Sequence, residues 1–573
     1  MLFVTLNWIY LAVTSFLVGT AFSKFVRRAL GWEVKSGTEL FFYGLIWITV
    51  YAQAFSLLGG VGALANGILL AACAVIALVW RKAIKSTIVQ GVKGSGRMQL
   101  IVVLVLVVVW GYCTSRGYMH YDSDLYHAQS IRWIEEYGVV PGLGNVHLRF
   151  AYNSSFFALS ALYGLRFLGI QSLHAVNGFL ALLLSVEVWK GFRLGRFRPA
   201  GRGRSAAGGK ALRLSDFARL GAFYYLTVIY RDIVAPASDY AVMCVVFFIV
   251  IRWLAHLEQG EAHFAPYALL CVAGVYAVTL KLTAGCILLL VIKPAWMMLK
   301  GKKGKEIAVC LVLGMLVLAP WVFRTALISG YLLYPFPTLD VLSVDWKIPV
   351  EAVAHDAAEI KTWGRGLEDA ALVDVPLTEW LPRWFSDMLP ALGKCFVLAD
   401  FACVAVFAVF LASTFIRCRK KKGRVGEWEE LTVLACMVLS FGFWLLSAPL
   451  LRYGYAYVLL IIALTAGMAY QRLKVPVAAE RAACVLVLAV VAVKLLSFAR
   501  YAGSVWKQPY YVTQQDYGTY ELESFEVEGV RFYCPVSGDR VGYEAFPAIP
   551  MKKEIRFRGD GLRDGFLGGW PFP

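Results

Sequence analysis

Long apolar runs separated by short polar interruptions dominate the chain, and their lengths set the architecture. Runs near 98–113, 173–189, 306–323, 396–416 and 454–470 approach or reach the roughly 17–25 residues that cross a bilayer as helix. Hydrocarbon offers open backbone groups no partner, so these runs are helical. The pattern predicts spans near 3–22, 39–57, 60–80, 98–117, 173–190, 219–233, 240–256, 265–280, 283–299, 306–323, 394–416, 430–447, 454–470 and 481–498. The fold class expected is an all-α polytopic membrane protein of about 14 spans. Residues 3–22 read as a retained span, because no small-residue cleavage site follows the apolar stretch. The pattern changes over 499–573. Short stretches such as Val530-Arg531-Phe532-Tyr533 and Glu554-Ile555-Arg556-Phe557-Arg558 alternate in polarity between Gly and Pro, which predicts a small β-rich cap.

Composition agrees with this pattern, and charge orients it. Charged residues make up 16% of the 573 positions and hydrophobic residues 59%, against about 25% charged in a soluble protein. The formal charge of +18 is gathered in short loops between spans, at Arg81–Arg97, Arg193–Arg219, Lys300–Lys305 and Arg417–Arg424. That is the positive-inside distribution, not a nucleic-acid surface. With these loops inside, the N-terminus, 118–172, 231–239, 324–393, 448–453 and the tail 499–573 face outward. Residues 200–210 form a flexible basic linker. The segment 151–168 is apolar enough to span, but counting it would put eight Lys/Arg and one acid of 191–219 outside. It also carries Asn153, Ser154, Ser155, Ser160 and Arg166, so it reads as a re-entrant or interfacial helix. Most of the twelve cysteines fall inside spans, and no disulfide framework is visible.

The candidate chemistry collects on the outward face. Residues 121–137 follow a strong span directly and place Asp122, Asp124, Tyr126 and His127 at its mouth. From Asp124 the pattern is an amphipathic helix, with Leu125, Ala128, Ile131, Ile134 and Tyr137 on one side and Gln129, Arg132, Glu135 and Glu136 on the other. Such a helix lies in the interface plane. One of the two aspartates is suited to cap this helix, leaving the other free as a general base or a metal ligand. Asp239 follows Arg231-Asp232 at an outer turn, where it could cap the next span. Lys281 stands between two apolar runs, where it could snorkel or mark a site. Arg452 and Tyr453 occupy another outer turn.

This layout resembles the family C glycosyltransferases (GT-C) over about 100–470. Asp122 with Tyr126 resembles the acidic start of that superfamily's first large outer loop, 149–167 its juxtamembrane helix, and Thr279-Leu-Lys281-Leu-Thr283 its Thr-Lys element near the donor phosphate. The resemblance implies a core over 98–498, three extra N-terminal spans within 1–97, and the tail 499–573. The chain is also similar, nearly end to end, to an uncharacterised family of bacterial multi-pass membrane proteins. The marks are Tyr121-Asp122-Ser-Asp-Leu125-Tyr126-His127, Trp133 to His147, Asn153-Ser154-Ser155, Pro236-Ala-Ser238-Asp239, Ser329-Gly330-Tyr331 with Tyr334-Pro335, Asp345-Trp346-Lys347-Ile-Pro349, Ala448-Pro449 with Arg452-Tyr453-Gly454, and Arg558-Gly559 with Asp564-Gly565-Phe566. Asp124 departs from that pattern, where a small residue is expected, which moves the weight to Asp122.

Together these readings imply a transferase in a bacterial cytoplasmic membrane, with its site facing outward. It moves a sugar from a lipid-linked, polyprenyl-phosphate donor to an acceptor, in contact with membrane lipids and with no nucleic acid. Asp122 is the catalytic base. Lys281 and Arg452 hold the phosphate, with Tyr453, Tyr126, His127 and Asn153 beside them. Asp239 and Asp124 position the acceptor or a divalent metal. A polysaccharide polymerase or ligase, and a transporter or flippase of an envelope glycolipid, are the alternatives.

Overall fold

The computed structural model describes residues 1–191, 212–420, 426–473 and 475–568. The linker expected at 200–210 and the 421–424 part of the last basic loop lie outside them. Two long helices, α1 (Leu2–Leu30) and α2 (Gly37–Ser56), open the chain as an antiparallel pair. The next helix, α3 (Ala63–Val79), turns through 84° into the basic α4 (Arg81–Gly94), and α5 (Arg97–Ser115) follows. After α5 a π-helical turn at Ser123–His127 leads into α6 (Ala128–Glu136), then α7 (Ser155–Gly164) and α8 (Val176–Gly191). The bundle continues with α9 (Leu214–Ile229), α10 (Ser238–Glu258) and α11 (Ala265–Leu280). A 3₁₀ stretch at Leu282–Val291 runs into α12 (Ile292–Lys300), and α13 (Gly304–Ser329) follows. The segment after it carries α14 (Val350–Arg365) and α15 (Leu377–Arg383). The last helices are α16 (Ala391–Arg419), α17 (Glu427–Ser447), α18 (Leu451–Arg472) and α19 (Val477–Ser504). The tail forms one antiparallel hairpin, β1 (Leu522–Val527) with β2 (Val530–Pro535).

The chain is therefore mostly helical and multi-pass. Among the described residues nine helices are long and apolar enough to cross a membrane, or ten if the bent α3–α4 pair counts as one. Every expected span coincides with helix, so the difference from about 14 spans is one of length and polarity. Three of the shortfalls, α8, α9 and α11, have 16 residues each, about 24 Å of helix against a hydrocarbon core of about 30 Å. In α2 the residues Thr38, Glu39 and Gln53 dilute the hydropathy, and α3 has 17 residues. The most enclosed span is α10, with 89% of its apolar window buried, while α19 has none buried. A helix apolar on all sides belongs in a core or in lipid, and these two take one place each.

The 151–168 segment is not a span. Its helix, α7, has ten residues, about 15 Å, and every one is buried against neighbours that include α2 and α6. The amphipathic reading of α6 needs correction. Its polar side does not face away, because the C-terminal tail covers it. Gln129 donates to the carbonyls of Gly542 (3.0 Å) and Ala545 (2.9 Å) and accepts from Ala548 N (3.1 Å). Arg132 donates to the carbonyls of Tyr543 (2.7 Å) and Glu544 (2.5 Å), and Glu135 accepts from the Tyr543 hydroxyl. The N-terminus meets the same tail, since the Met1 ammonium donates to the carbonyls of Tyr510 (2.7 Å) and Thr513 (2.5 Å). At the opposite end of α10, Arg252 bonds Glu39 (3.0 Å) and Glu187 (3.4 Å), tying α2, α8 and α10 together.

Candidate functional site

Four segments far apart in sequence meet at the tail-side end of the bundle. The stretch after α5 brings His120 and Asp122, and the first turn of α10 brings Asp239. The first turn of α18 brings Arg452 and Tyr453. Lys281 sits at the break between α11 and the 3₁₀ stretch, where its backbone is extended (φ −159°, ψ 130°). The break matters because a continuous helix would leave Lys281 on the stripe set by its neighbours.

Arg452 is the hub. Its Nη2 donates to Asp122 Oδ2 (2.6 Å) and to the Tyr453 hydroxyl (2.9 Å), and its Nη1 to His120 Nδ1 (3.0 Å). Its Nε lies 3.6 Å from Asp239 Oδ2. Lys281 donates to Asp239 Oδ1, and its ammonium stands 3.2 Å from the centre of the Tyr453 ring, within cation–π range. His120 Nδ1 also accepts from the Asp122 backbone N–H (3.1 Å). Two donors aimed at one ring nitrogen assign the proton to Nε2. Burial and Arg452 both lower the His120 imidazole below its ordinary value, so the ring is neutral. Burial alone would raise the Asp122 carboxyl, but the Arg452 guanidinium outweighs it and holds the group below the usual range. Two carboxylates thus face two cations. Asp122, Lys281 and Arg452 keep 23%, 23% and 21% of their side chains accessible, whereas Asp239 keeps 7%.

The other expected site residues are placed differently. Tyr126 is half-buried next to the cluster, and burial followed by Asp122 raises its phenol well above the ordinary value. His127 is buried between Tyr126 (4.4 Å between ring centres) and Phe157 (5.2 Å), and burial pushes it down to about 3. Asn153 binds α13 instead of the cluster, donating to the Trp321 carbonyl (2.9 Å) and Thr325 Oγ1 (3.0 Å). Asp124 turns away and holds the tail, accepting from Gly518 N (2.9 Å) and the Tyr520 hydroxyl (2.8 Å). Neither Asp122 nor Asp124 makes a side-chain cap bond to the turn that follows. Asp239 is the second helical residue of α10 and spends its oxygens on Lys281 and Arg452. Sequence reasoning missed His120; its signal was its position two residues before Asp122, at the same span end. Also missed was Asp356, buried at 1% exposure, which accepts from Tyr152 (2.5 Å) and Tyr334 (2.8 Å) and pairs with Arg149 (3.2 Å).

The donor set does not fit a divalent metal. Among the described residues no three His, Cys, Asp or Glu side chains gather as a candidate site. The two carboxylates that do come near each other are separated by a guanidinium, and a second positive charge there would be repelled. The arrangement suits an anion: an oxyanion reaching Lys281 and Arg452 would replace Asp122 on Arg452.

No curated protein and no solved structure matches the chain. Over residues 1–459 it matches the family model described as a domain of unknown function, DUF8201, and the chain belongs to that family.

Proposed function

We propose that the protein is a membrane glycosyltransferase that moves a sugar from a polyprenyl-phosphate donor to an acceptor on the outer face of a bacterial cytoplasmic membrane. The observation that carries this reading is the Asp122–Arg452–Asp239–Lys281 cluster, in which two acids and two cations from four distant segments meet and stay partly accessible. The donor's phosphate displaces Asp122 and is held by Lys281 and by the fork of Arg452. Asp122 is thereby released from its ion pair, and its basicity returns toward that of an ordinary carboxylate. The acceptor hydroxyl then attacks the anomeric carbon and gives its proton to Asp122. The bond from that carbon to the phosphate oxygen breaks, and the lipid phosphate leaves with the electron pair. Asp239 keeps Lys281 and Arg452 in register, and Tyr453 forms a wall beneath the Lys281 ammonium.

The test is transfer from labelled polyprenyl-phosphate sugars by the full chain in liposomes. Lys281→Ala and Arg452→Ala should each lower kcat/KM through the donor by a loss of about 2–5 kcal/mol, the usual cost of removing a hydrogen-bonded charge. Full activity in both variants would move the phosphate site elsewhere. Transport of an envelope glycolipid is the second reading, and one feature favours it. Asp400, inside α16, is fully buried, with neither oxygen hydrogen-bonded among the described residues. Ionisable groups inside spans commonly mark ion or substrate paths. If Asp400→Asn abolished movement of a fluorescent glycolipid across liposomes while Lys281→Ala did not, that second reading would replace the first.

A further inference from the structure

Arg324, near the end of α13, is 2% exposed. Among the described residues no carboxylate lies within ion-pair distance of it. Its hydrogen bonds go to neutral groups: Nε donates to Asn153 Oδ1 (3.0 Å) and Nη1 to Ser56 Oγ. A guanidinium has five N–H groups and stays charged in proteins, so most of its donors have no protein partner. An uncompensated buried charge is strongly destabilising. Two other arginines, Arg116 and Arg365, are also buried without a close carboxylate. Each is held by backbone carbonyls and lies on aromatic rings, Tyr112 and Tyr511 for the first and Trp380 for the second. Arg324 has neither form of compensation.

A second observation falls beside Ser56, whose hydroxyl donates to the Gln53 backbone carbonyl (2.6 Å). Gln53, one turn before Ser56 on the same face of α2, is 0% exposed, and neither its amide oxygen nor its amide nitrogen has a partner. A buried amide without hydrogen bonds is itself costly. An oxyanion would take the free guanidinium N–H groups in bidentate fashion and one N–H of the Gln53 amide. The site is coupled to the cluster already described. Asn153 touches Arg324, and the next residue, Ser154, donates to the carbonyl of Leu280 (2.8 Å), the residue before Lys281.

We propose that Arg324, Gln53, Ser56 and Asn153 form an enclosed binding site for a phosphate-class oxyanion, supplied either as a lipid headgroup or as free phosphate. The site does not depend on the glycosyl-transfer reading, which stands or falls on Lys281 and Arg452. The full chain in non-ionic detergent is melted in rising concentrations of dodecyl phosphate, and separately of inorganic phosphate, with chloride at matched ionic strength as the control. One of the two phosphates should raise the Tm saturably, which also identifies the source. Measured in a Lys281→Ala background, which removes the other phosphate-holding cluster, Arg324→Gln should weaken that binding at least tenfold. An equal shift in Arg324→Gln and the parent, or no shift beyond chloride with either phosphate, overturns the proposal. If Arg324→Gln shows no cooperative melt, Gln53→Leu decides: weaker phosphate binding supports the site, and unchanged binding overturns it.

Discussion

Glu135 is half-buried where α6 meets the tail, bonded by the Tyr543 hydroxyl and by Ser172 Oγ (3.0 Å). Burial pushes its carboxyl up to about 7, more than those hydrogen bonds and nearby Arg132 pull it down, and Glu136 adds to the rise. The folded form therefore binds this proton better than the unfolded form. Its contribution is complete below the ordinary carboxylate range and is lost as pH rises through about 7. Hydrogen exchange of 514–548 should accelerate as pH rises from 5 to 8, after correction for the intrinsic rate. Glu135→Gln should flatten that dependence; an unchanged dependence would assign it to another group. At this scale the sequence was only partly readable. Asp122, Asp239, Lys281 and Arg452 stood out because each ionisable residue sat at a span end, where membrane cost makes it conspicuous. His120 did not, and Gln129 and Glu135 read as solvent-facing because helical periodicity separates apolar from polar sides without saying what covers the polar one.

The helices themselves follow from the length of the apolar runs, and their contacts follow from small residues the runs contain. Where α1 crosses α2, a Cβ on Gly19 would lie 1.9 Å from the Leu40 carbonyl oxygen, and one on Gly44 would lie 1.8 Å from that of Ser15. Backbones come this close only where side chains are absent, a common device between membrane helices. Gly44→Ala should therefore destabilise the protein by about 1–3 kcal/mol or more, as overpacking does. Gly314→Ala, where nothing lies within 4 Å of the added carbon, should leave the Tm unchanged or raise it. Equal melting of the two variants would contradict the packing described. The span count was less legible than the helices, because α9 and α11 are largely apolar yet stop at 16 residues. Hydropathy reports what a helix can bury, and these bury against protein. The shortness of α7 was hidden likewise, since Ser154 and the left-handed Leu165 set its ends where composition alone suggests continuation.

On the scale of the whole molecule, the chain joins both its ends and its charged span ends on one side. Met1, the tail, His120, Asp122, Asp239, Lys281 and Arg452 all lie at the same end of the bundle, away from Arg252 and Glu187. In the proposed orientation, with the basic loops inside, this end is the outer one. A cysteine introduced at Gly538, an open turn with nothing within 4 Å of an added carbon, should react with an impermeant maleimide on intact cells, and one within 300–305 should not. The reverse result would turn the site to the cytosol and remove its access to an outer-leaflet donor. Convergence of the four clusters was anticipated from their span-end positions, but their ion pairing was not, because pairing depends on how spans cross and not on where they end. The most direct measurement compares Asp122→Asn with Asp124→Asn in transfer from a labelled polyprenyl-phosphate sugar. Asp122→Asn keeps shape and hydrogen bonding but loses the base, so the rate should fall roughly 10²–10⁴-fold with the fold intact. Asp124→Asn should loosen the tail at Gly518 and Tyr520 while retaining most of the rate. Transfer at the parental rate by a folded Asp122→Asn protein would contradict the account.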